Sequence, residues 1–317
     1  MNQIATPAIP RLHVGRGAQY ASLTLFPVWA EGGSAAGLEW GLEHLRVGEQ
    51  PGGARVDALV AVNEGPRPVV LLEGDLLEGG WQTRMVARST ILPPRSMTEV
   101  AALCVEQGRW GGHDEHRARG RRVSATLRTA RDRAAREGQS AQHAVWEGIA
   151  ARYETRGATP TNSFAEHLDR RATRGTASPR PLPAKPLAGQ RGVIIGVGGR
   201  VLGMELFATH TALLRRWAGI VEAAAFDADG APEVATPGQQ ARDFAGAVER
   251  QPAAARRPHD GVRGEAPADV VELEAAAHRL RLAGLAMTEP ERTVDGEFWR
   301  IVHLAARDEA HPILVGA

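Results

Sequence analysis

The chain has 317 residues, 43% of them hydrophobic, a formal net charge of +1 and a single cysteine. That is enough for one large domain or two moderate ones with a real core, and the near-neutral charge gives no general pull toward nucleic acid or an anionic membrane. One cysteine excludes an internal disulfide framework and any cysteine-only zinc site. Met1 to Arg16 shows no charged start followed by an apolar run, and no stretch reaches the roughly 18 apolar residues of a membrane span, so a cytoplasmic setting is expected.

The first 110 residues read mostly as strands. Ala21 to Trp29 begins with period-2 alternation and is bounded by Gly32-Gly33. Leu38, Leu42 and Leu45 share the spacing of a short helix. Val56–Val62 and Val69–Leu72 are strand-like, separated by the turn Asn63-Glu64-Gly65-Pro66. Ile91-Leu92 and Glu99–Val105 suggest a further pair closing around Cys104.

Helices are expected next. Ser140 can cap a segment reaching Tyr153, and Ser163 with Glu166 has capping-box spacing. Residues 111–122 and 171–190 read as flexible. From Gly192 the pattern returns to β: Val193–Val197, the turn Gly198-Gly199 and Val201–Phe207 form a hairpin signal. Leu213, Leu214, Trp217, Ile220, Val221 and Ala224 then mark one face of a helix, with Arg215 and Arg216 falling away from it. The stretch 227–270 reads as flexible, with one short helix near Arg242–Arg250, and Leu280–Met287 and Phe298–Leu304 as strands.

The chemistry-bearing residues concentrate between Leu71 and Trp110. Glu73, Asp75 and Glu78 follow a buried-type strand; such carboxylates serve as acid, base or cation ligand, or equally satisfy amides in the turns that Gly-Asp and Gly-Gly corners make. Gln82 can read an amide or hydroxyl, and the planar fork of Arg84 suits a carboxylate or phosphate. Cys104 sits beside Glu106, Arg109 and Trp110: a nearby guanidinium can activate a thiol, yet a cysteine after Ala101-Ala102-Leu103 also reads as core filler, and Glu106 and Arg109 as a structural pair. His113-Asp114-Glu115-His116 has helix-face metal spacing, but the arginines that follow repel a cation, so no metal site is expected. The arginines from Arg117 to Arg136 lack interleaved aromatics and read as solvated surface rather than a nucleic-acid face. Gly196-x-Gly198-Gly199 runs into a second strand instead of a helix and fails as a dinucleotide loop. His303, within an alternating apolar run, reads as a strand-face histidine.

Leu72-Glu73-Gly74-Asp75, Gly79-Gly80-x-Gln82-x-Arg84, Pro93-Pro94 and Cys104-Val105-Glu106-Gln107-Gly108-Arg109-Trp110 resemble a bacterial domain family of unknown function, named for its association with ADP-ribosylglycohydrolase and rhodanese-phosphatase proteins. Gly196–Phe207 and Val302-His303-Leu304 are weaker matches, so the resemblance covers nearly the whole chain as a single family-like domain. The arginine-rich insert after Gly112 and the Pro/Ala-rich stretch before Val270 depart from the family pattern.

The resemblance implies a setting in NAD and ADP-ribose metabolism and supplies no reaction or cofactor. Two readings follow. In one, the protein binds or processes an ADP-ribose-like nucleotide: Arg84 and Arg109 engage phosphate, Trp81 or Trp110 stacks, Gln82 lines the site, and Glu73, Asp75 or Glu106 contacts ribose or moves a proton. In the other, the domain is a non-catalytic partner docking on an enzyme of that metabolism, and its Glu/Arg corners are structural. The fold expected is α+β: an antiparallel β portion over 11–110, helices over 138–171, and a second β-helix-β portion over 190–306.

Overall fold

The computed structural model describes residues 11–31, 38–157, 159–174, 180–207, 209–249, 285–289 and 302–306. In chain order the first strands are β1 (Leu12–Val14), β2 (Ala18–Tyr20), β3 (Leu23–Ala30), β4 (Leu45–Gly48), β5 (Ala58–Asn63), β6 (Val69–Leu71), β7 (Asp75–Gly79), β8 (Arg84–Val86), β9 (Thr90–Leu92), β10 (Ser96–Cys104) and β11 (Glu115–Arg122). Three helices follow: α1 (Ala125–Arg136), α2 (Ala141–Arg156) and α3 (Phe164–Arg174). Then come β12 (Gly192–Val197), β13 (Arg200–Leu206), α4 (His210–Ala228), α5 (Gly238–Glu249), β14 (Leu285–Glu289) and β15 (Val302–Ala306). The class is α+β.

Two compact units form from discontinuous segments. The first comprises Met1–Ala36, Leu182–Leu214 and Ala228–Glu309; the second comprises Gly37–Pro181, Arg215–Asp227 and Ala310–Ala317. In the first unit an antiparallel sheet runs β1-β3-β12-β13-β15-β14, with β2 added to β3. Gly198 and Gly199 take φ of 57° and 86°, as a two-residue hairpin turn matched to strand twist requires. Phe26, Val28, Ile194, Met204 and Leu206 from the sheet meet Ala241, Phe244, Ala245 and Val248 on one face of α5. That stripe at helical spacing is why α5 forms inside a segment otherwise rich in turn formers.

In the second unit six strands close into an antiparallel barrel, β10-β5-β4-β11-β7-β8. Period-2 alternation sorts its side chains: Val47, Leu59, Ala61, Leu77, Val86, Val100 and Ala102 fill one core. The neighbouring positions Leu76, Met85 and Leu103 face outward to Val105, Leu127, Val145, Ile149, Phe164, Leu168 and Phe226 from the helices and their leads. β6 and β9 form a separate two-stranded ribbon. Asn63 shapes the predicted turn: its Oδ1 accepts the Gly65 N–H at 2.9 Å and its Nδ2 donates to the carbonyls of Arg67, Leu92 and Pro93. Ser140 caps α2 by accepting the His143 N–H, and Ser163 caps α3 by accepting that of Glu166.

Four expectations are corrected. The Leu38–Leu45 segment is not helical: Glu39 bridges Val69 and Leu45 opens β4, because Leu42 and Leu45 pack against the barrel core. Residues 111–122 do not form a loop throughout; Glu115–Arg122 is β11, with His116 and Ala118 pointing in and Arg117 and Arg119 exposed. The run from Arg117 to Arg136 is not all solvated surface, since it contains all of α1 and buries Arg122 and Arg128. Arg216 does not fall away from the core but is almost fully buried.

Within 227–270, the end of α4 and all of α5 are ordered elements; residues 250–270 lie outside the described residues, as do Gly32-Gly33, 280–284 and 298–301. Residues 171–190 begin with the last turn of α3, and 175–179 lie outside the described residues.

Candidate functional site

The predicted site residues separate into two groups within the second unit. Glu73 and Asp75 belong to a buried ion network. Asp75 Oδ2 accepts the Leu72 N–H at 2.9 Å and Arg216 Nη1 at 3.0 Å, while Arg122 Nε lies 3.4 Å from Oδ1. Glu73 pairs with Arg131 Nη2 at 2.7 Å, and its carbonyl accepts Arg122 Nη2 at 2.8 Å. Both carboxylates are fully buried. Each charge has an opposite partner, which is what removing it from water demands. In this arrangement the two carboxylates join β7 to β11, α1 and α4.

Gln82, Arg84, Glu106, Arg109, Trp81 and Trp110 come together at one end of the barrel. β8 starts at Arg84, whose Cα neighbours are Leu77 on β7 and Cys104 on β10. Gly79-Gly80-Trp81-Gln82 connects β7 to β8, and Val105–Gly112 leaves β10. Arg109 holds these connections together. Its Nε donates to Glu106 Oε1 at 2.9 Å, its Nη1 to the carbonyls of Gly80 at 2.6 Å and Gly111 at 3.1 Å, and its Nη2 to Gly79 O at 3.1 Å and Glu106 Oε2 at 2.6 Å. A guanidinium has five N–H groups, and all five of Arg109 bond to protein.

Glu106 is equally committed. Besides Arg109 it accepts the Thr83 N–H at 2.8 Å and the Thr161 hydroxyl at 2.7 Å. Burial pushes its carboxyl pKa up, but the bonds from Arg109, Thr83 and Thr161 outweigh that and hold it below the ordinary glutamate value. The same pairing raises the Arg109 pKa.

The aromatic pair sits on this frame. Trp81 and Trp110 meet edge to face, with ring centroids 5.4 Å apart. Trp81 is anchored through its indole N–H to Asp114 and through its backbone N–H to Glu49 Oε1, both at 3.1 Å. Trp110 remains 51% exposed, and the Arg84 guanidinium lies 5.6 Å from its ring centroid. Arg84 itself is fully buried. Its hydrogen bonds go to uncharged oxygens, Gln82 O at 3.1 Å, Gln82 Oε1 at 2.8 Å and Arg55 O at 3.4 Å, and burial pulls its pKa down.

Two residues outside the predicted set complete this end. Glu49, just past β4, lies 3.0 Å from His116 Nε2, and His116 Nδ1 lies 3.2 Å from the Leu77 carbonyl. Gly80 has φ of 57°, and a Cβ there would run into the His116 ring. Burial lowers the His116 pKa, opposed by Glu49 and Leu77. Cys104 is buried, and burial raises its thiol pKa, the opposite of what an activated nucleophile needs. Its backbone N–H and C=O are both paired, at 2.8 Å, with the side-chain amide of Gln142. Among the described residues no group of three or more His, Cys, Asp or Glu could hold a metal ion, and no helix is long and apolar enough to cross a membrane.

Of the eight candidate site residues read from the sequence, the structure brings Trp81, Gln82, Arg84, Glu106, Arg109 and Trp110 together here and places Glu73 and Asp75 in the separate ion network. Sequence reasoning passed over Glu49, which carries no motif, and weighed His116 only as a metal ligand. The alternation in Glu115–Arg122 was the available signal, since His116 falls on the face shared with Ala118.

A family model matches residues 11–306, which contain both groups. The chain belongs to the ARG and Rhodanese-Phosphatase-superfamily-associated Protein domain family. No curated protein and no solved structure matches it. This membership agrees with the motifs at Leu72–Arg84 and Cys104–Trp110.

Two expectations follow from the geometry. Arg109→Ala strands a buried carboxylate and frees three carbonyls, so it should cost on the order of 3 kcal/mol, with Arg109→Lys recovering only part because it lacks the fork; thermal and urea unfolding of the three proteins check this. Stability should also fall with acid in two stages. His116 has a folded pKa below its unfolded value near 6.5, so the unfolded chain takes up the proton first and stability declines as pH drops below about 6.5. Glu106, also lowered, adds a second loss as pH falls below about 4.5 and through its folded pKa. A melting-temperature profile from pH 8 to 3 should show both limbs, and His116→Gln should remove the upper one.

Proposed function

We propose that the second unit binds an ADP-ribose-like nucleotide, with Trp110 as the surface on which the base stacks. The observation that carries this reading is the half-exposed Trp110 ring, fixed edge to face by Trp81 above the buried Arg84 guanidinium. An indole held in place presents a flat face at low entropic cost. Family membership supports the ligand class, because the family is associated by name with ADP-ribosylglycohydrolase proteins. In this reading Arg109 and Glu106 build the site instead of touching the ligand, because their bonding capacity is taken up by Thr83, Thr161, the glycine carbonyls and each other. Glu73 and Asp75 likewise act as framework. The role is recognition; a catalytic step is not part of the proposal.

That saturation of Glu106 and Arg109 also favours a second reading, in which the same aromatic corner docks on a protein partner of the associated ADP-ribosylglycohydrolase or rhodanese-phosphatase class.

Isothermal titration of the purified protein with ADP-ribose and AMP separates the two. The first reading expects saturable binding, reduced roughly tenfold or more in Trp110→Ala at unchanged melting temperature, since stacking on an aromatic contributes about 1–3 kcal/mol. Absence of binding by the folded wild-type protein to either compound would reject it in favour of docking.

A further inference from the structure

Two buried polar atoms at the aromatic end of the barrel have no hydrogen-bond partner among the described residues: Nε of Arg84, a donor, and Oε2 of Glu49, an acceptor. Both side chains occupy inward positions. Arg84 precedes the core residue Val86 by two along β8, and Glu49 follows the core residue Val47 by two from β4. Glu49 has a side-chain exposure of 3%, so neither group is satisfied by bulk water.

Five other arginines of this unit differ in their pairing. Arg109, Arg121, Arg122, Arg131 and Arg216 each reach a carboxylate. Arg84 is paired with none and bonds only neutral oxygens. A buried cation left without an ion partner is costly in a purely structural role.

His116 explains why Glu49 points one oxygen onward. Both imidazole nitrogens face acceptors, Leu77 O and Glu49 Oε1, so the His116–Glu49 contact holds a proton between Nε2 and Oε1. Oε1 also accepts the Trp81 N–H. The carboxyl group is thereby fixed relative to the indole platform, with Oε2 as its remaining acceptor.

A ligand group that satisfies both orphans must donate to Glu49 and accept from Arg84. An anion would serve Arg84 but face the charges of Glu49 and Glu106, both of which already act on that guanidinium. A cation would serve Glu49 but lie beside Arg84. A hydroxyl does both without charge, and a vicinal diol does so with two adjacent groups. Resting on the nucleotide reading above, we propose that Glu49 and Arg84 read the ribose hydroxyls of the ligand whose base stacks on Trp110: one hydroxyl donates to Glu49 Oε2, and that hydroxyl or its neighbour accepts from Arg84 Nε.

The test is calorimetric binding of AMP, 2′-deoxy-AMP, 3′-deoxy-AMP and ADP-ribose to wild type and to Glu49→Gln. Wild type should prefer AMP to at least one deoxy form by tenfold or more, because a buried acceptor or donor is left unpaired when the hydroxyl is missing. Glu49→Gln retains an oxygen for the Trp81 N–H but replaces the second acceptor with a donor, and should bring the ribo-to-deoxy ratio close to one. Equal affinity of wild type for AMP and both deoxy forms overturns this inference and leaves the nucleotide reading standing. Failure of wild type to bind AMP or ADP-ribose overturns the nucleotide reading and this inference with it. Should Glu49→Gln not fold, the wild-type comparison decides alone.

Discussion

Five N–H groups on the Arg109 guanidinium tie Gly79, Gly80, Gly111 and Glu106 into one corner, and Glu106 extends the tie to Thr83 and Thr161. The segments involved are two connections rich in glycine, which lose much conformational freedom on folding and have few side chains with which to recover it. A charge-assisted fork with low strain and no free valence is a physical answer to that deficit. The placement of Trp81 and Trp110 follows from it. Removing the fork would leave the two indoles on connections held mainly by backbone bonds such as Gly111 N–H to Trp81 O.

A second buried network does comparable work further along the barrel. Asp75 joins β7 to Arg122 on β11 and to Arg216 on α4, and Glu73 joins Arg131 on α1. Helix α4 approaches the barrel backbone closely: a Cβ at Gly219 would collide with the Gly120 carbonyl on β11. The arginine-rich composition is therefore partly internal. Five-donor side chains with long apolar stems can cross a packed layer and still end on a carboxylate or carbonyl.

Much of the fold was legible where periodicity was clean. The Gly192–Phe207 hairpin, the caps at Ser140 and Ser163, and the strands around Cys104 were read from alternation and turn chemistry. β11 was obscured because its inward positions are His116 and Ala118 instead of Val or Leu and its register shifts after Ala118, so the alternation lacked apolar contrast. α1 was obscured because its buried face includes Arg128. Arg216 sits on the polar side of a helical-wheel reading, and only the tertiary partner Asp75 shows why it is buried. The Leu71–Trp110 cluster was visible as an unusual concentration of chemistry. Which members touch solvent and which serve the frame depends on three-dimensional partners that no local spacing encodes, and Glu49 enters the site solely through barrel closure.

In the nucleotide reading, the indole pair on this frame is the recognition surface. The most direct measurement is the NMR signal of the indole Nε1–H groups during titration of the wild-type protein with ADP-ribose. Stacking on this surface should give saturable shifts of the Trp81 and Trp110 signals, with the remaining tryptophans largely unmoved. Unchanged Trp81 and Trp110 signals at saturating ligand, or shifts confined to other tryptophans, would contradict it.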